Sequence, residues 1–182
     1  MGILIAFAPF IVFAVIDRLI DSSSGLIAGA ATSAILIARD FASRGRLAKI
    51  LEIGTFILFT ALAIYAYVAQ PAWSVIGVRL LVDTGLFLIV LVSMVIGKPF
   101  TLQYARETVD AQYWDQPEFI RTNYVITAAW ALAFAVMVLA ELALLYLPGM
   151  SHRFGVVVII VALIAAVKFT GWYPERVKKT QS

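Results

Sequence analysis

The chain has 182 residues, of which 63% are hydrophobic and 14% charged, with a net charge of +3. Soluble domains run at about 45–50% apolar and about 25% charged, so a water-soluble globule is excluded. It contains no cysteine, which also excludes disulfides, thiol catalysis, thiolate metal sites and palmitoyl anchors.

The apolar residues form continuous stretches rather than an alternating pattern, and a stretch of about 20 suffices to cross a hydrocarbon core about 30 Å thick as a helix. The chain therefore reads as an all-α, polytopic membrane helix bundle, a single membrane domain over 1–182 with about six transmembrane helices. The first segment, 3–20, contains Pro9 and ends at Asp17, Arg18 and Asp21, so it is expected to be short, bent or re-entrant. It has no basic residue ahead of it and no small-residue cleavage site after it, and is expected to be retained as a membrane segment.

The second segment, 22–38, opens on Ser22, Ser23 and Ser24, any of which can cap a helix with its hydroxyl. Gly25, Gly29 and Ser33 then repeat every four residues on one face, a small-residue stripe that lets helices approach closely in lipid. That face can pack inside the bundle or against a second copy in a homo-oligomer. The third segment covers 50–69, and Gln70, Pro71, Ala72 and Trp73 make a short antiparallel return to the fourth, 74–97. Gly97 and Pro99 close the fourth segment.

A polar section follows at 98–123, where Tyr104, Tyr113, Trp114 and Phe119 are spread among charges, as expected of an interfacial elbow at the membrane surface. Within it, Asp115, Pro117 and Glu118 have the order of a helix start, with Asp as the cap. The fifth segment is 124–147. Pro148 and Gly149 separate it from the sixth, 154–173, and a basic tail occupies 174–182.

Lys and Arg set the orientation. Eleven fall in alternate gaps and at the C-terminal end: Arg39, Arg44, Arg46, Lys49, Lys98, Arg106, Arg121, Lys168, Arg176, Lys178 and Lys179. Arg18 and Arg153 lie on the opposite side, and Arg79 is inside a segment. Both termini are therefore expected in the cytoplasm.

Charged groups inside a bilayer cost about 2.5–3.5 kcal/mol each on insertion scales. Arg79 and Asp83 stand four residues apart on one face of the fourth helix and can pair, while Glu141 sits six residues before the end of the fifth. With Asp17, Arg18 and Asp21 they place four acids and two arginines toward the outer leaflet. Three readings compete: an interhelical charge network, a water-accessible cavity for a cation, proton or polar solute, and snorkelling to the outer interface. Glu52 and Lys168, near the inner interface, read as snorkelling side chains. The lone His152 has no companion ligands for a metal, no nucleophile, phosphate-loop or zinc-protease pattern is present, and no cofactor or nucleic acid is expected.

Four stretches carry a resemblance: APFIVFAVIDRLID, AGAATSAILIARDF running into RGRLAK, GKPF after the fourth segment, and TNYVITAAWALAFAVM. In order and spacing they resemble the bacterial inner-membrane family of intracellular septation protein A (YciB, or IspZ). The resemblance implies a non-enzymatic inner-membrane protein with a cytoplasmic C-terminus, acting in envelope synthesis and cell division through membrane-protein partners. The alternative is a small carrier or channel built on the outer charges.

Overall fold

The computed structural model describes residues 2–42, 49–147 and 151–181, the side chains of His152, Phe154 and 178–181 excepted. Arg44, Arg46, Pro148 and Gly149 lie outside the described residues. The fold is all-α, and among the described residues five helices are long and apolar enough to cross a membrane. The chain is a multi-pass membrane protein. Its contacts group into two compact units, Met1–Ile89 and Val90–Ser182.

The first unit begins with α1 (Gly2–Ile5) and α2 (Ala8–Leu19), so the first apolar segment is a broken helix. Pro9 sits in the first turn of α2, where its missing N–H removes no helical bond. Twelve residues give α2 a length of about 18 Å, well short of a hydrocarbon core of about 30 Å. Three span-length helices follow: α3 (Ser22–Ala42), α4 (Ile50–Ala69) and α5 (Val75–Val95), the last of which runs past the unit's end.

The small-residue stripe is turned inward. A Cβ on Gly25 would sit 3.0 Å from the Asp17 backbone nitrogen, and one on Gly29 would sit 2.8 Å from the Phe59 ring. Ser33 is buried and donates its hydroxyl to the Gly29 carbonyl at 2.9 Å. The stripe is therefore used up seating α2 and α4, and is not available to a second copy of the chain. Phe59 is the hub of this packing: its ring lies 5.2 Å from that of Phe10 and 5.5 Å from that of Phe13. Leu26, Ala66, Val78 and Val82 complete the buried core around it. Leu58 of α4 packs into the notch at Gly85 of α5.

The cap of α3 differs from expectation. Asp21, not a serine hydroxyl, accepts the Ser24 N–H at 2.8 Å and the Ser24 hydroxyl at 2.9 Å. The Ser24 backbone bond, then its hydroxyl, hold the Asp21 carboxyl below the usual carboxylate range. A lowered folded value means the cap's stabilisation is present above the ordinary Asp value of about 3.9 and is lost as pH falls below it. Amide exchange at Ser24, taken relative to its intrinsic rate at each pH, should accelerate in that acid window in the wild type. In D21N, whose amide oxygen caps without titrating, the acceleration should be missing; equal pH dependence in both would show that Asp21 does not set it.

The second unit opens on the end of α5, which closes with a left-handed Gly97 at φ 76°. Gly97 N–H returns to the Met94 carbonyl and Lys98 N–H to that of Ser93, at 3.1 and 2.9 Å, pairing two carbonyls that a helix end otherwise leaves open. The Ser93 hydroxyl donates to Val90 O and accepts the Phe100 N–H, which starts α6 (Phe100–Ala105) directly after the turn. A short 3-10 turn, Ala111–Tyr113, precedes α7 (Pro117–Tyr146), and α8 (His152–Gln181) ends the described chain. Pro117 occupies the first turn of α7, but the capping residue is Gln116 and Asp115 is exposed. Trp130 of α7 is buried between Phe100 and Phe134, and its Nε1–H reaches Thr170 of α8 at 2.9 Å. Thr101 bonds Thr127 and the Asn123 carbonyl, tying α6 to α7.

Candidate functional site

Two buried charge clusters mark opposite ends of α3. At its start, Asp17 on α2 is fully enclosed, its carboxylate showing 0% exposure. Arg79 on α5 donates to Asp17 Oδ2 through Nη2 at 3.1 Å and Nε at 3.3 Å, and Ser22 donates to Oδ1 at 2.6 Å. Arg79 thus bridges to a residue 62 positions away, a partner that helical spacing does not offer. Both carboxylate oxygens are engaged, which is what a buried anion requires. Arg79 keeps 30% of its side chain exposed.

The remaining members of the predicted outer cluster differ in burial and in the element that carries them. Asp83 is half-buried one turn along α5, Arg18 is exposed, and Asp21 is the exposed cap of α3. Glu141 is buried on α7 in the second unit. The six residues therefore do not form one assembled site within either unit.

The second cluster lies where α3 ends and α4 begins. Asp40 has no exposed side-chain surface, and it takes Lys49 Nζ on Oδ2 while Arg39 reaches Oδ1 at 3.0 Å. Lys49 also approaches Glu52 Oε1 at 3.5 Å, and Lys49 and Glu52 are both buried. Glu52 is thus not a snorkelling side chain. Its position on α4 repeats through Thr55 and Phe59, the buried face of that helix. Among the described residues, two carboxylates thus face an ammonium and a half-exposed guanidinium, and opposite charges so paired lower the penalty of burying ions.

Sequence reasoning missed this cluster because it counted Arg39 and Lys49 as loop cations and gave Asp40 no role. A signal was present. Asp40 continues the Gly29, Ser33, Leu36 face, every member of which is buried, and an acid on a packing face asks for an internal cation.

The elbow is only partly a surface element. Tyr104 is buried against Phe100 and so is not interfacial, because α6 packs on α7. Tyr113 is exposed, and Trp114 and Phe119 are half-buried. Trp114 donates Nε1–H to the Val109 carbonyl at 2.9 Å and lies under the Arg106 guanidinium, 5.4 Å from ring centre. Among the described residues no three His, Cys, Asp or Glu side chains gather closely enough to hold a metal.

Chemically, the clusters do one thing well. Each joins helices by paired ions. Compared with known proteins, the chain matches no family model, no curated protein and no solved structure.

Proposed function

We propose that the chain is a non-enzymatic component of the bacterial inner membrane that serves envelope biogenesis and septation through membrane-embedded contacts with other proteins. The observation that carries this reading is the closure of Asp17: a carboxylate with 0% exposure and both oxygens engaged is a structural tie, not a docking point for a travelling solute. At the second cluster Asp40 has the same character, its Oδ1 taken by Arg39 and its Oδ2 by Lys49. In this reading the basic gaps and both chain ends face the cytoplasm. Phe10 meets Phe59, midway along α4. The eight residues before Phe10 add about 12 Å at helical rise, so α1 and α2 together make the first crossing.

The carrier alternative draws on the exposed edge of Arg79. One experiment separates the two. Photo-crosslinking residues placed at Ile27, Ile35, Ile57 and Ile64, exposed apolar positions on α3 and α4, should capture discrete envelope or division proteins in growing cells, and purified protein in liposomes should pass no ion or proton faster than empty vesicles. Absence of adducts at all four positions overturns the contact reading. Flux that disappears in D17N establishes the carrier.

A further inference from the structure

We propose that the C-terminal part of α8 binds the headgroup of an anionic phospholipid, held between Lys168 and Arg176 against the side of Trp172. The three residues recur every fourth position and so share one helix face. All three are exposed, Trp172 by 49%. The Arg176 guanidinium lies 5.1 Å from the Trp172 ring centre, which fixes a cation at the ring face. Phe169 stacks on Tyr173 at 5.2 Å, so the neighbouring turn is a rigid aromatic wall.

Lys168 makes the headgroup necessary. It lies within the apolar span Gly155–Val177, nine residues before its end. Among the described residues no carboxylate is within ion-pair distance of it. It is four residues, about 6 Å, deeper than Trp172, a residue type that settles at headgroup level. An exposed ammonium at that depth takes its counter-ion from outside the chain, and a phosphate drawn down beside Trp172 supplies it. Arg176, about 6 Å shallower than Trp172, can hold the same phosphate or the rest of the headgroup from above. Around this stripe the sequence adds Lys178 and Lys179 against a single acid, Glu175. That charge balance selects anionic over zwitterionic lipid.

The test is native mass spectrometry of the full chain, delipidated in neutral detergent and titrated separately with dioleoyl phosphatidylglycerol and dioleoyl phosphatidylcholine. At about fivefold for each of the two basic residues, the wild type should retain phosphatidylglycerol with a preference of about twenty-five-fold. K168Q/R176Q should fall to a ratio within about twofold of unity, while K168R/R176K keeps the preference as a folded, charge-retaining control. W172A should weaken retention without abolishing the preference. A wild type without preference, or a K168Q/R176Q protein that retains it, overturns the assignment.

Discussion

K49M is expected to lower the stability of the protein by about 3–5 kcal/mol, the usual cost of removing one partner from a buried ion pair. The reason is local. Lys49 is the cation shared by Asp40 and Glu52, both buried, and its loss removes from each carboxylate a positive charge that the fold holds inside. A methionine fills the volume but supplies no N–H. The same reasoning predicts that D40N/K49M/E52Q recovers most of the loss, because neutral amides remove the charge that burial penalises. Equilibrium unfolding of purified protein in micelles measures both. A K49M midpoint equal to wild type would mean that the carboxylates find water or protons as readily as they find Lys49, and the cluster would then not be a structural tie.

F59A is the second large effect. In lipid, apolar transfer contributes little to helix association, so what remains is lost contact and cavity. The aromatic-to-alanine range of about 3–5 kcal/mol should therefore be met near its lower end. G29A alone should cost about 1–3 kcal/mol by overpacking, since its methyl would press on a ring already held by Phe10 and Phe13. Combined, the two should be less damaging than their sum by about 0.5–3 kcal/mol, because the new methyl enters the space the ring vacated. Strict additivity in a double-mutant cycle would show that Gly29 and Phe59 do not meet.

The helices were legible because a bilayer demands continuous apolar runs, and five of them are found close to where the runs lie. The small-residue stripe was legible as a face, since Gly25, Gly29 and Ser33 differ from their neighbours in size. Its partner was not, because any bulky side chain could have filled the notch that Phe59 fills. The Asp17–Arg79 tie was illegible for a related reason: helical spacing reveals the residue four positions along, whereas a partner on another helix is set by how α2 and α5 meet. Lys49 illustrates a third limit. A lysine after a basic loop looks the same whether it faces water or turns inward, and only the acids at 40 and 52, read with their helical phase, distinguish the cases. Tyr104 was assigned to the surface by its polar surroundings in sequence, yet α6 is short and lies against α7, so its large side chains point into that contact.

The two charge clusters of the first unit stand at Ser22 and Asp40, eighteen residues apart on one helix, about 27 Å at helical rise. Ions cannot be carried far into hydrocarbon, so this spacing works as a gauge. A slide of one turn toward either face would pull the exposed edge of Arg79 or that of Arg39 into the acyl chains while leaving the other in water. Tilting would shorten the gauge further. The unit therefore suits a hydrocarbon layer of about 27 Å, and a layer of about 32–33 Å would have to thin around it. Bilayer thickness, adjusted by lipid chain length, should then set where in a membrane this protein gathers.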